Sequence, residues 1–221
     1  DYFFSRTALM YVFMGHMKYE HTQPYEKRFW KKNRIDLLKA WVTEIDYSKK
    51  LLFLDSEEKI TYDKLIIATG SKPNKFGWKG QDLKGVQGFY SSQDLQELEE
   101  NTVDAKTAIV VGGGLIGVEV AEMLISRGIK VTFLIRESRF WGNVLPEKSS
   151  ALIMKHLKAH GLEIILETEL DEVLGDESGR VKAIKTKKGE EISCQLLALT
   201  AGVSPNVSFL KNTELAINRG V

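Results

Sequence analysis

From residue 107 onward the chain alternates two kinds of apolar pattern. TAIVV (107–111) is a short unbroken β-branched run, and IGVEVAEMLISRG (116–128) spaces its apolar residues as a helix and stops at a glycine. KVTFLI (130–135) is a second apolar run. PEKSSALIMKHLKAHG (146–161) is a second helical pattern, with proline near its start and glycine after its end. LEIIL (162–166) is a third run. Strand, helix, strand, helix, strand predicts a parallel sheet with right-handed crossovers, so the fold class is α/β.

A different rhythm follows. TELDEVL, RVKAIKT and ISCQLLALTAG are strand-like segments separated by the turns GDESG and KKGEE, and together they read as a β-meander. Residues 40–70 read the same way, with turns at DYSKK and DSEEK, the strand LLFL and the closing run ITYDKLIIATG. ATGSKPN (68–74) and TAGVSPN (200–206) superpose Gly70 on Gly202, Pro73 on Pro205 and Asn74 on Asn206 at one constant offset. The chain is therefore an internal repeat. The loop matching Gly112 in the first copy would precede residue 1. The expectation is two Rossmann-like units, each with a β-meander, the first truncated at its N-terminus.

Composition narrows the function classes. A hydrophobic content of 43% and 28% charged residues are those of an ordinary globular protein. A net charge of +1 argues against a dedicated nucleic-acid binder. The longest apolar stretch, 108–125, contains Glu119, Glu122 and three early glycines, which argues against a membrane span. The single cysteine, Cys194, excludes a disulfide within the chain and fits a reducing cytoplasm. It lies on an expected buried strand, where inert packing is the default.

Candidate chemistry concentrates in VVGGGLIGVE. Gly112, Gly114 and Gly117 form G-x-G-x-x-G after a strand and at a helix start, with Gly113, Leu115 and Ile116 between them. The first glycine permits the turn, the second the approach of a pyrophosphate, and the third helix–strand packing. Cofactor choice should show after the next strand, where Ile135 is followed by Arg136, Glu137 and Arg139. The two arginines suit the 2′-phosphate of NADPH, which is the form expected; Glu137 would suit NADH if the strand ended later. A solvated charge cluster is the plain alternative.

These residues resemble the FAD- and NAD(P)-dependent pyridine nucleotide-disulfide oxidoreductase family. The branch is the one without a redox disulfide: rubredoxin and ferredoxin reductases, apoptosis-inducing factor and the flavin part of nitrite reductases. YDKLIIATGSKPN is similar to the family's first A-T-G segment, GGGLIGVEVAEML to its NAD(P) loop and LALTAGVSPN to its second A-T-G-like turn. The resemblance implies FAD as well as NAD(P)H. It divides the chain into a partial FAD-binding domain (1–98), an NAD(P)-binding domain (99–205) and a return segment (206–221). It implies that Arg6, Ala68, Thr69 and Gly70 lie near the flavin, that the Val42 backbone meets the adenine, that Glu119 lies near the nicotinamide and that Gly202 lies beneath the NAD(P). Met10 and Tyr11 replace the family's Ser-Lys. No catalytic residue is identified. The implied reaction is hydride transfer from nicotinamide to flavin, with electrons passing on to a redox protein or small molecule. A nucleotide-binding module that senses redox state without rapid turnover is the alternative.

Other features carry plainer readings. His156 and His160 share a helix face but lack a third ligand, so no metal site is expected. YEKRFWKKNR (25–34) reads as an amphipathic helix with Phe29 and Trp30 tucked in and its lysines solvated. Its second reading is a docking site, at Lys31 and Lys32, for a small acidic electron carrier. A homodimer is left open.

Overall fold

The computed structural model describes residues 3–210, 215–218 and 220; the rest of the expected return segment lies outside them. In chain order come the helices α1 (Leu9–Phe13) and α2 (Lys27–Lys32) and the strands β1 (Val42–Asp46), β2 (Leu51–Leu54), β3 (Lys59–Thr61), β4 (Ser71–Pro73) and β5 (Val86–Gln87). Next are α3 (Ser92–Asn101), β6 (Thr107–Val111), α4 (Leu115–Ser126), β7 (Lys130–Leu134), α5 (Glu147–Ala159) and β8 (Glu163–Ile165). The series ends with β9 (Leu170–Gly175), β10 (Val181–Thr186), β11 (Glu191–Ser193), β12 (Leu196–Leu199) and β13 (Val203–Pro205). Described residues of 1–4, 23–72 and 204–221 form one compact unit, and those of 5–22 and 73–203 a second.

The second unit is built on a five-stranded parallel sheet in the order β5-β12-β6-β7-β8. Its central strand β6 pairs Ala108–Val111 with Val131–Leu134 on one side and with Leu196–Leu199 on the other. Strands covered on both faces must be apolar throughout, which is why TAIVV and LLAL show no alternation. Ile109, Val111, Leu134, Leu197 and Leu199 pack with Leu170, Val173, Val181, Ile184 and Cys194 of the meander β9–β11. Helix α4 packs on β6 and β7. Each large side chain buried here contributes about 1.5–3 kcal/mol.

Residues 73–98 group with this unit because β5 forms the sheet edge and α3 packs beside it. Helix α3 starts in a capping box, with the Ser91 hydroxyl accepting from the Asp94 N–H and the Asp94 carboxylate accepting from the Ser91 N–H. Within the expected strand ISCQLLALTAG, the backbone changes partners. The Cys194 N–H donates to the Lys182 carbonyl, and the next N–H, of Gln195, donates to that of Thr107. One apolar run thus serves the meander as β11 and the parallel sheet as β12.

The first unit contains the other meander, β1-β2-β3, antiparallel throughout. The closing run there behaves differently. Only Lys59–Thr61 is a strand; from Tyr62 to Gly70 the backbone is irregular, and Ile66 is 90% exposed. Helix α2 is short, with Phe29 stacked on Tyr25 at 4.3 Å and edge-on to Trp30 at 5.4 Å. Lys31 and Lys32 are exposed.

Candidate dinucleotide-binding site

Strand β6 connects onward to β7 on one side, while its neighbour on the other side, β12, arrives from the meander. The carboxyl ends of β6 and β12 therefore flank a crevice where the sheet's winding reverses, the standard ligand position in open α/β sheets. A cavity of about 600 Å³ opens there. It is lined by Gly112–Gly114 after β6, Arg136 and Glu137 after β7, and Thr200–Gly202 after β12.

The three glycines of the motif do different jobs. Gly112 has φ +109°, and a Cβ there would lie 2.8 Å from the Thr200 carbonyl oxygen. At the buried Gly117 a Cβ would collide with the Gly112 carbonyl oxygen and come within 3.0 Å of the Thr200 hydroxyl. Gly114 is different. It caps α4 in extended conformation, φ −93° and ψ −175°, without a side-chain cap, and a Cβ there would meet nothing within 4 Å. The first N–H groups of a helix lack intrahelical acceptors and carry the positive end of its dipole. Gly114 leaves that end open to the cavity. A phosphate-bearing ligand fits a cradle of this kind, which a methyl group would fill.

Thr200 fixes the turn from the opposite side. Its hydroxyl donates to the Val111 carbonyl at 2.9 Å and also reaches the Gly112 carbonyl at 3.2 Å, while its N–H donates to Val111 at 2.9 Å. No motif points to this threonine; its signal is only its place at the end of a buried strand before Gly202. Of the expected cofactor-selecting pair, Arg136 lines the cavity and pairs with Glu137 at 2.9 Å. Arg139 instead donates to the Gly142 carbonyl at 2.9 Å and lines a neighbouring depression at the start of α5. Gly202, φ +89°, lies in the cavity wall. Leu115, exposed, and Ile116, half-buried, begin α4. Glu119 is half-buried on α4, where burial, with Glu122 adding, raises its carboxyl above the ordinary range.

The remaining expected residues fall in both units. Arg6 lies in the second unit, its guanidinium 3.6 Å above the ring of Tyr90. Val42 opens β1 in the first unit, and Ala68, Thr69 and Gly70 are exposed there. Sequence reasoning aligned Asn74 with Asn206 but gave neither a role. In the first unit the Asn206 N–H donates to the Gly70 carbonyl at 2.9 Å and its side-chain amide to the Thr69 carbonyl at 3.0 Å. In the second, Asn74 repeats this, its N–H donating to Gly202 at 3.0 Å and its side chain to Ala201 at 3.3 Å. Each copy's asparagine holds the other copy's turn.

Other expectations receive a location only. The imidazoles of His156 and His160 lie 4.2 Å apart, and His160 Nδ1 is 2.9 Å from the His156 carbonyl. Among the described residues no helix is long and apolar enough to cross a membrane. Burial pushes the Cys194 thiol up to about 12.

Comparison with known proteins agrees with this geometry. Over 221 residues the chain is 30% identical to the assimilatory nitrate reductase electron transfer subunit of Bacillus subtilis, covering 99% of this chain and 28% of that protein. It is 27% identical to the rubredoxin-NAD(+) reductase of Pseudomonas putida, covering 99% of this chain and 57% of the relative. Among solved structures, NADH:rubredoxin oxidoreductase from Clostridium acetobutylicum superposes with a TM-score of 0.81 at 26% identity, over 99% of this chain and 53% of that one. The chain thus spans less than two thirds of the length of these relatives. A family model described as pyridine nucleotide-disulphide oxidoreductase matches residues 4–221, nearly the whole sequence, and with the glycine turn at the sheet's switch point it places the chain in that family.

Proposed function

We propose that this chain is the nucleotide-binding part of an FAD-dependent NAD(P)H oxidoreductase that passes electrons to a small redox protein. The observation carrying the reading is the convergence of Gly112–Gly114 and Thr200–Gly202 on one cavity at the switch point of the sheet. When bound, the nicotinamide supplies a hydride and the flavin accepts it. The chain's own residues bind and orient. The N–H groups at the start of α4 hold the pyrophosphate, and Gly114 lets it approach. The Glu137 carboxylate accepts from a ribose hydroxyl, and the Gly202 backbone forms the floor beneath the nicotinamide. Glu119, half-buried on α4 and held toward its neutral form by burial, is the candidate polar group for that end.

NADH rather than NADPH is the form we assign, against the expectation from the two arginines. Two of the three relatives described carry NAD(+) or NADH in their names. Arg139, one of the two cations that would meet a 2′-phosphate, is occupied by the Gly142 carbonyl. For the flavin, Ala68–Gly70 remains the candidate segment, shaped by Asn206. The exposed Lys31 and Lys32 on α2 are the candidate contact for an acidic carrier.

Trp78 and Trp141 line the cavity and report on its occupancy. Titration with NADH should quench tryptophan fluorescence saturably, and ADP-ribose should compete. Absence of any saturable change up to millimolar NADH refutes the binding reading. In the full-length protein, a flavin spectrum not bleached by NADH under anaerobic conditions refutes the redox reading.

A further inference from the structure

The wall of the cavity beyond the glycine turn carries charges that a dinucleotide fold does not itself require. The Thr168 N–H donates to the Ile135 carbonyl at 3.0 Å and the Glu167 N–H to the Glu137 carbonyl at 3.1 Å. These bonds lay the segment entering β9 along the segment leaving β7. The Lys187 N–H then donates to the Glu169 carbonyl at 3.0 Å, adding the first residue after β10. Arg136, Glu137, Glu169 and Lys187 consequently line one cavity. They form two ion pairs, Arg136–Glu137 and Lys187–Glu169, each at 2.9 Å. The hydrogen bond from Lys187 first, and the charge of Arg136 further, hold the Glu169 carboxyl below its usual range, so it is ionised at neutral pH.

We propose that the Lys187–Glu169 pair on the meander sets the selectivity for the 2′ position of the adenosine ribose, favouring a free hydroxyl over a phosphate. The inference rests on the dinucleotide reading of the cavity. With Arg136 held by Glu137 and Lys187 by Glu169, the Glu137 carboxylate is the acceptor for a ribose hydroxyl, whereas a 2′-phosphate meets no uncompensated cation. An incoming phosphate must approach two carboxylates. Glu169 acts on the ligand's charge and Lys187 answers it, so their removal should have opposite effects on the phosphorylated nucleotide.

The test titrates the chain with NADH and with NADPH by calorimetry. Glu169→Gln frees Lys187 and should raise NADPH affinity roughly three- to tenfold, the range for one partly exposed charge at about 6 Å. Lys187→Gln leaves Glu169 uncompensated and should lower NADPH affinity by a similar factor. NADH affinity should stay within about twofold in both variants, whereas general damage to the site would weaken both nucleotides together. An unchanged NADPH-to-NADH ratio in either variant, or a parallel fall for both nucleotides, overturns the inference while leaving the binding site intact. A wild-type chain that binds neither nucleotide overturns the dinucleotide reading beneath it.

Discussion

Replacing Gly114 by alanine separates folding from binding. The residue has extended dihedrals that any amino acid adopts, and the new Cβ would have no heavy atom within 4 Å. Two small terms then oppose each other. Alanine lowers the entropy of the unfolded chain and stabilises by about 0.4–1 kcal/mol. It is also a poorer helix cap than glycine, by several tenths to about 1 kcal/mol. The net change in stability should stay within about 1 kcal/mol. Binding has no such cancellation, because the open space at Gly114 is where a pyrophosphate must reach the N–H groups of α4. Hydrogen bonds to a charged group contribute about 1.5–3 kcal/mol, so losing one should weaken NADH binding about ten- to a hundredfold. Urea unfolding and NADH titration on one preparation measure both quantities. Binding within twofold of wild type, or a stability loss above about 2 kcal/mol, refutes the assignment of Gly114 to the ligand rather than to the fold.

The neighbouring glycine should behave oppositely. Gly117→Ala forces a Cβ against the Gly112 carbonyl and the Thr200 hydroxyl, and overpacking of this kind costs about 1–3 kcal/mol; an unshifted urea midpoint would contradict it. Glu119 has a carboxyl raised by burial and by Glu122, so the folded state binds its proton more tightly than the unfolded chain does. Its contribution favours folding below the ordinary carboxyl value of 4.5 and is lost as pH rises through the raised folded-state value. Glu119→Gln should therefore stabilise at about pH 7 and lose that advantage at about pH 4, as read from urea midpoints at the two pH values. Cys194, its thiol pushed up to about 12, should resist iodoacetamide in the native state and react only on unfolding. Stoichiometric labelling of the folded protein at neutral pH would show that the strand pairing around it is looser than described.

The parallel sheet was legible because its strands are covered on both faces and its helices on one. Those constraints leave unbroken apolar runs at β6 and β7 and a periodic pattern at α4, each punctuated by glycine. The edge strand β5 was not legible, since two paired residues, Val86 and Gln87, carry no periodicity. The run from Tyr62 to Gly70 shows the reverse failure. KLIIATG has the apolar, β-branched character of a strand, but a strand exists only where a neighbouring backbone completes its ladder, and this stretch is irregular. The glycine turn was readable because backbone conformation restricts residue type so tightly at Gly112 and Gly117. The charged wall was not, because Glu169 and Lys187 stand far along the chain from Arg136. Only the backbone bonds from Glu167 and Thr168 to the segment after β7, with the bond from Lys187 to Glu169, bring them to it. The two arginines after β7 looked equivalent in sequence. The carbonyl of Gly142, three residues beyond Arg139, makes them different.

The exchanged asparagines bear on how such a protein could arise. Asn74 completes the turn at Ala201–Gly202 and Asn206 the turn at Thr69–Gly70, so neither copy contains all the donors its own turn uses. In a symmetric pair of identical subunits, whatever residue i does to j across the axis, j's subunit does in return. Gene duplication followed by fusion of two such subunits would leave this reciprocity behind in one polypeptide. Cutting the chain between the copies would then strip both turns of a partner at once, a cost that no single-residue substitution in either half reproduces.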